Sequence, residues 1–317
     1  MKIHVTGATG FIGRHFIAQA QRAGHQVVAL VRTVTDELAD ITQLEIGDLA
    51  ERTDWEALVS GADCVVHLAA RVHVMNEKDS GLAELYERHN TVPTLRLARA
   101  AADAGVGRFV FASSIKVNGE KTTGEPFSAN SAPAPVDAYG RSKHRAEQLL
   151  RELADNSTLA ISIVRPTVVY GAGVGGNIAR IAGAVSRKLP LPLGSAHNSR
   201  SMLGVENLVV GLLAAATASH PGSQTYLLAD PEPISTRKLI ELLAEGLGVA
   251  PPLLSFPRGL LRFGAGILGR AADIDRLFED LVVVPDWSAL GVSADQIVAT
   301  DEGIRAYARS LAASRTR

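Results

Sequence analysis

The chain has 317 residues, 46% of them hydrophobic, with 32 basic and 33 acidic side chains and a formal net charge of −1. That length fills one large domain or two modest ones, and the balanced charge argues against a nucleic-acid partner, which needs a basic excess or stripe. The single cysteine, Cys64, excludes an intrachain disulfide and fits a reducing compartment. No apolar run reaches the roughly 20 residues that cross a bilayer. The opening MKIHVTG enters a strand pattern with no leader-type segment. A cytoplasmic protein with no membrane partner is expected.

Short apolar runs predict strands over 3–5, 26–31, 44–46, 64–67, 109–112 and 161–164. Amphipathic stretches between them predict helices over 11–23, 55–60, 82–104 and 138–153. This alternation implies an α/β fold, a Rossmann-type doubly wound parallel sheet covered on both faces. After about residue 170 the pattern loosens. GAGVGGN and LPLPLG read as loops, followed by a helix over 205–217, a strand over 225–228, and helices over 236–247, 259–268 and 301–312. Residues 1–170, completed by about 204–229, are thus expected to form the dinucleotide-binding domain. Residues 171–203 and 230–317 are expected to form a smaller, mostly helical substrate-binding region.

The first strand runs into Gly7-Ala8-Thr9-Gly10-Phe11-Ile12-Gly13, a GxxGxxG loop that opens a helix. Glycines let the backbone approach a pyrophosphate, and the helix N-terminus offers it free N–H groups and positive dipole. An NAD site usually places an acid at the end of the second strand to hold the ribose. Here Val31-Arg32 stands there. An arginine suits a 2′-phosphate, and Arg14 is near enough in sequence to assist, so NADP(H) is favoured with NAD(H) as the alternative.

Tyr139 and Lys143 form YxxxK, and positions i and i+4 share a helix face. An ammonium beside a phenol is expected to lower its pKa, so that the tyrosine can exchange a proton during hydride transfer. Ser113-Ser114 ends the strand over 109–112, where a hydroxyl can hold a carbonyl oxygen. The nine histidines show no metal-ligand spacing, so no metal is expected. His67 and Cys64 read as core residues.

TGATGFIG, GDL, HLAA, FASSIKVNG, YGRSK and RPTVVYG occur in this order. With them the chain resembles an extended short-chain dehydrogenase/reductase of the nucleotide-sugar branch, which includes UDP-sugar 4-epimerases, dehydratases and 4-ketoreductases. The resemblance implies cofactor contacts from Gly7, Gly10, Phe11, Ile12, Gly13, Arg32, Asp48, Leu49, Leu68, Ala69, Ala70, Asn90, Ser113, Pro166 and Thr167. It implies that Ser114, Tyr139 and Lys143 are catalytic, with Tyr139 and Lys143 also touching the cofactor. Arg200 matches an arginine that contacts the substrate diphosphate. Arg71, Ser114, Asn177 and Arg276 complete the expected substrate set. A homodimer through the helices over 82–104 and 138–153 is implied as well.

Within that branch, dehydratases carry an Asp-Glu pair directly after the catalytic hydroxyl. This chain has Ile115 and Lys116 there, which cannot move protons as a carboxyl pair does. Epimerases often show an acid after the second strand and VYG after the hydroxyls, where this chain has Val31-Arg32 and VNG. SSIKVNGE and HLAARVHVM resemble bacterial 4-reductases of UDP-4-keto-6-deoxy-N-acetylhexosamines, enzymes of surface-polysaccharide synthesis. The expected activity is therefore NADPH-dependent reduction of a 4-keto sugar nucleotide. A UDP-sugar 4-epimerase is the first alternative and a non-catalytic dinucleotide-binding module the second. Val168 stands where many relatives place a substrate-holding asparagine, and Asn177 is the expected substitute.

Overall fold

A computed structural model describes residues 1–52, 54–72, 81–267 and 271–313. In chain order its first elements are β1 (Lys2–Thr6), α1 (Phe11–Arg22), β2 (Gln26–Val31), β3 (Thr42–Glu45) and β4 (Cys64–His67). There follow α2 (Leu82–Tyr86), α3 (Val92–Asp103), β5 (Arg108–Ala112), α4 (Ala138–Asp155) and β6 (Ala160–Pro166). The second half contributes β7 (Val168–Tyr170), α5 (Gly176–Ser186), β8 (Met202–Gly204), α6 (Val205–Thr217) and β9 (Ser223–Leu228). The last helices are α7 (Thr236–Leu247), α8 (Arg258–Ile267), α9 (Ala271–Phe278) and α10 (Thr300–Ala313).

Seven strands form one parallel sheet in the order β3-β2-β1-β4-β5-β6-β9. The order reverses between β1 and β4, and the crevice at the carboxyl ends of the strands there is where such sheets bind ligands. Both faces are covered, which is why β4 is buried along its whole length and reads as an unbroken apolar run. On one face Phe16, Ile17 and Ala20 of α1 meet Leu208, Val209 and Leu212 of α6 over Ile3 and Val5. On the other, Leu97 and Ala101 of α3 and Ala146 and Leu150 of α4 pack on Val65, Phe109 and Phe111.

β7 and β8 pair in a separate two-stranded parallel sheet. Around it α5, α7 and α10 share a core that includes Ile178, Ala182, Leu239, Leu243, Ile304 and Tyr307.

Several elements differ from the sequence expectation. The segment over 55–60 is only a 3-10 turn, Glu56–Leu58. The long helix over 82–104 is interrupted by a π-helical stretch, Glu87–Thr91, between α2 and α3. α5 was hidden by glycines 173, 175 and 176 at its start, although Ile178, Ala182 and Val185 follow a helical period and are buried. Residues 73–75 of HLAARVHVM lie outside the described residues.

Candidate active site

The glycine loop packs as the sequence requires. Gly7 has φ +69°, and a Cβ there would sit 2.7 Å from the Ala69 nitrogen. A Cβ at Gly13 would sit 2.2 Å from the Gly7 carbonyl oxygen. Only glycine lets the loop fold this tightly against β4 and α1. Gly10 starts α1 with no side-chain cap, so its first N–H groups remain available to an anion.

α4 carries both Tyr139 and Lys143. Asp137 caps it, its Oδ1 accepting from the Gly140 N–H at 2.7 Å. Tyr139 therefore lies in the first turn, and Lys143, Glu147 and Arg151 follow at successive intervals of four. That spacing lays one stripe along the helix. Lys143 Nζ donates to the Ala112 carbonyl at 2.8 Å and sits 4.5 Å from the Phe111 ring centroid and 5.9 Å from that of Tyr139. Burial brings the Lys143 ammonium down to about 7, with Glu147 opposing the shift. For Tyr139 the expected lowering is corrected. Burial, with Asp137 and Tyr86, pushes the phenol above its ordinary value, because Lys143 is itself desolvated and directed at Ala112. Tyr139 is thus protonated in this arrangement, the form from which a proton can be given.

The two serines part company. Ser113 is buried and its hydroxyl donates to Glu147 Oε1 at 2.6 Å. Ser114 caps the turn Ile115–Val117, its hydroxyl accepting from the Lys116 N–H at 3.3 Å. Ser114 lines a cavity of about 190 Å³ together with Ile12, Ala70, Tyr139, Lys143 and Thr167, and Leu68, Ser113 and Pro166 join the same wall. Thr167 Oγ1 is buried there without a hydrogen-bond partner among the described residues, a group whose desolvation a ligand atom would offset. The cavity and the uncapped α1 together fit a nicotinamide dinucleotide.

Other expected cofactor residues are placed differently. Asn90, in the π-helical stretch, accepts from the Arg71 N–H at 2.8 Å and donates to the Arg71 carbonyl at 3.1 Å and to Ser142 Oγ at 3.3 Å. It anchors the segment after β4 rather than facing a ligand. Asp48 accepts from the Ala50 N–H at 2.9 Å, and Leu49 packs against the core. Arg32 lies 3.9 Å from Asp48, and Arg14 lies 2.6 Å from Glu37. Both arginines expected at a 2′-phosphate are thus turned toward carboxylates.

A second cavity, about 260 Å³, adjoins the first. Asn177, Arg200 and Arg276 meet in its wall with Lys116, Glu120 and Val168. β7 separates the two spaces: Val168 faces this cavity and Val169 the first, by ordinary strand alternation. Arg200 is fixed by backbone bonds to Ile234 at 2.8 and 2.9 Å, and donates to the Arg276 and Glu279 carbonyls at 3.1 and 3.0 Å. Asn177 accepts from Arg180. Arg71 is the exception, standing outside this cavity beside Ala70 and Val72.

Sequence reading missed Glu120 and Glu147. Lys116 Nζ bonds Asp137 and lies 3.2 Å from Glu120, which in turn lies 3.4 Å from Arg276. Glu147 accepts from Arg165 Nε at 2.9 Å and from Arg151 at 3.0 Å. Burial raises its pKa, but Arg165, Ser113 and Arg151 outweigh burial and hold the carboxyl below its ordinary value. The YxxxK spacing, extended by one step, would have found it. His67 is bonded at both nitrogens, to Thr6 at 2.7 Å and Thr94 at 2.9 Å, and burial lowers it to about 3. Burial pushes the Cys64 thiol up to about 12. Both behave as core groups.

Comparison with known proteins agrees with this geometry. Residues 3–229 match the model of the NAD dependent epimerase/dehydratase family. A UDP-glucose 4-epimerase from Vibrio cholerae is 37% identical over 284 residues, 89% of this chain and 86% of that protein. The solved structure of MoeE5 in complex with UDP-glucuronic acid and NAD superposes with a TM-score of 0.80 at 26% identity, covering 99% of this chain and 100% of that one. The Thermus thermophilus UDP-glucose 4-epimerase complex with NAD gives 0.77 at 25% identity, with 99% and 100% covered. With its glycine loop, its seven-stranded parallel sheet and its Ser-Tyr-Lys pocket, the chain belongs to the NAD dependent epimerase/dehydratase family, within the extended short-chain dehydrogenases/reductases.

Proposed function

We propose that the chain reduces the 4-keto group of a UDP-linked sugar, a UDP-4-keto-6-deoxy-N-acetylhexosamine destined for surface polysaccharide. The observation that carries this reading is the convergence of Ser114, Tyr139 and Lys143 on one cavity, followed by Ile115 and an ion-paired Lys116 where dehydration needs acids. Such a site moves a hydride and one proton but has no carboxyl pair to remove water. Residues 1–170 with 204–229 hold the cofactor in this reading, and 171–203 with 230–317 hold the sugar nucleotide. A homodimer through residues 82–104 and 138–153 and a cytoplasmic location belong to it too.

Gly7, Gly10, Gly13 and the start of α1 would hold the pyrophosphate, and Pro166 and Thr167 the nicotinamide end. A bound nicotinamide supplies the hydride. Ser114 Oγ donates to the C4 oxygen as charge develops on it. The Tyr139 phenol transfers its proton to that oxygen, and Lys143, with Nζ 5.9 Å from the Tyr139 ring centroid, would in its charged form stabilise the phenolate left behind. Arg200 and Arg276 would meet the diphosphate in the second cavity. The end of β2, with Val31 and an exposed Arg32 in place of an acid, favours NADP(H). The NAD-bound neighbours support NAD(H) instead.

A UDP-sugar 4-epimerase is the second reading, and the 37% identical relative of that name supports it. One assay separates them. The protein is incubated with a UDP-4-keto-6-deoxy-N-acetylhexosamine and NADPH or NADH, with absorbance and NMR followed together. Stoichiometric cofactor oxidation with formation of the 4-hydroxy sugar is expected. Interconversion of UDP-glucose and UDP-galactose with no net cofactor use would establish the epimerase. No oxidation of either cofactor overturns the reductase.

A further inference from the structure

Two stretches of sequence lack acidic residues. Residues 171–205 contain Arg180, Arg187, Lys188 and Arg200, and residues 246–272 contain Arg258, Arg262 and Arg270, with no Asp or Glu in either. At the chain's average of 33 acids in 317 residues, these 62 residues (35 + 27) would hold about six. The fold joins them at 191–194 and 252–254. Leu191 N–H donates to the Pro252 carbonyl at 2.7 Å, Leu254 N–H to Leu191 at 2.8 Å and Gly194 N–H to Leu254 at 2.9 Å.

Exposed apolar side chains gather in these stretches. Leu189, Leu254, Phe256, Leu260 and Phe263 make up five of the twelve exposed large hydrophobic residues among those described, and Phe263 is 72% exposed. Leu260 and Phe263 are three apart on α8 and share its outer face, while Leu261 between them is turned inward. Arg258 and Arg262 lie on the opposite side of α8, both ion-paired with Asp275 of α9, at 2.9 and 3.0 Å. Arg187 and Lys188 are exposed and make no ion pair among the described residues. Lys188 has φ 55°, the chain's only left-handed non-glycine residue among those described. It sits at the corner of a helix-ending turn in which Leu189 N–H donates to Ala184 at 3.0 Å and Lys188 N–H to Val185 at 2.9 Å. Glycine is the usual occupant of that corner. Here the cation is held there, next to Leu189.

We propose that α8, with the adjoining 187–189 and 254–256 segments, docks on the surface of an anionic lipid bilayer. An amphipathic helix with an exposed apolar face, beside a segment whose cations Arg187 and Lys188 carry no ion pair among the described residues, is the pattern of an interfacial helix. A leaflet of acidic headgroups answers both halves of it, taking the rings and aliphatic chains into its boundary and pairing the cations. No helix among the described residues is long and apolar enough to cross a membrane, so the contact is peripheral. It does not depend on the chemistry proposed above.

The test is co-sedimentation of the full chain with vesicles of equal parts phosphatidylglycerol and phosphatidylcholine, against phosphatidylcholine alone. Binding to the anionic vesicles, weakened by added salt, is expected. The double variant Leu260→Ser/Phe263→Ser should bind at least about tenfold more weakly. Arg187→Glu/Lys188→Glu, in a separate segment, should lose about tenfold or more. Both variants should keep the parental melting temperature. If one of them melts early, the other alone decides. Failure of the parent to sediment with anionic vesicles overturns the proposal, as does unchanged binding by a folded variant. Self-association that Leu260→Ser/Phe263→Ser abolishes, without vesicle binding, makes this face an interface between copies instead.

Discussion

The two cavities lie on either side of the segments Ser113–Lys116 and Thr167–Val169, yet they are built differently. The smaller one lies at the ends of long parallel strands. Its polar groups are already fixed: Lys143 on the Ala112 carbonyl, Ser113 on Glu147, and Glu147 between Arg165 and Arg151. The larger is enclosed by three-residue strands, short helices and loops. Its charged groups, Lys116, Glu120 and Arg276, are 30%, 23% and 40% exposed and pair with one another. Surface pairs of that kind contribute little. The contrast is between a smaller cavity backed by buried, mostly bonded groups, with Thr167 Oγ1 the exception, and a larger one in which Arg200 is fixed while Lys116, Glu120 and Arg276 are partly exposed and can rearrange.

The largest effect should come from the reacting end. Tyr139→Phe removes the proton donor and should cut turnover by about a thousandfold while leaving dinucleotide affinity near the parental value, as titration by fluorescence would show. Full activity in that variant would erase the distinction between the two cavities.

Next comes the support under the smaller cavity. Arg165 and Glu147 are 2% and 0% exposed, and Arg165→Met leaves a buried carboxylate with only Arg151 and the Ser113 hydroxyl as partners. Unfolding in urea should show a loss of about 3 kcal/mol. A loss no larger than a surface substitution gives would mean that the pair does not hold the catalytic helix.

The larger cavity should respond in binding. Arg200→Ala should raise KM about tenfold with kcat little changed, since it removes a charge-assisted contact made equally in the ground and transition states. A matching fall in kcat would instead tie Arg200 to the reaction.

The smallest effect is a slope. Lys143 is lowered from 10.5 to about 7 in the fold. Between those values the unfolded chain binds a proton that the folded chain does not, so stability rises with pH across that window and is flat below it. The slope is at most about 1.4 kcal/mol per pH unit. Lys143→Met should abolish that part of the slope, measured as the difference between two denaturation series over pH.

Much of this was legible in the chain itself. Strands such as β1, β2, β5 and β6 show as apolar runs because both faces are covered, whereas the edge strand β3, TQLE, is not buried. The glycine loop and Tyr139–Lys143 show because their chemistry needs fixed spacing. What escaped had a physical reason. β7 and β8 are three residues each, too short for any period. Glu147 is invisible as a buried charge until Arg165, 18 residues away, is seen to face it. The pairing of Arg14 with Glu37 and of Arg32 with Asp48 depends on loops whose path no local pattern states. The sequence also suggested that Lys143 would acidify Tyr139, and burial reversed that.

The π-helical stretch Glu87–Thr91 bears on how this protein could have arisen and what it cannot lose. Such a stretch is a helix that has absorbed one residue too many. Deleting Thr91 would let α2 and α3 run as a single regular helix, shorter and locally better bonded. It would also turn Asn90 by about 100° around the axis, away from the Arg71 backbone and Ser142 that it now joins. A local defect in one helix is thus retained as the register mark that ties the end of β4 to the catalytic helix, and restoring regularity there would cut that tie.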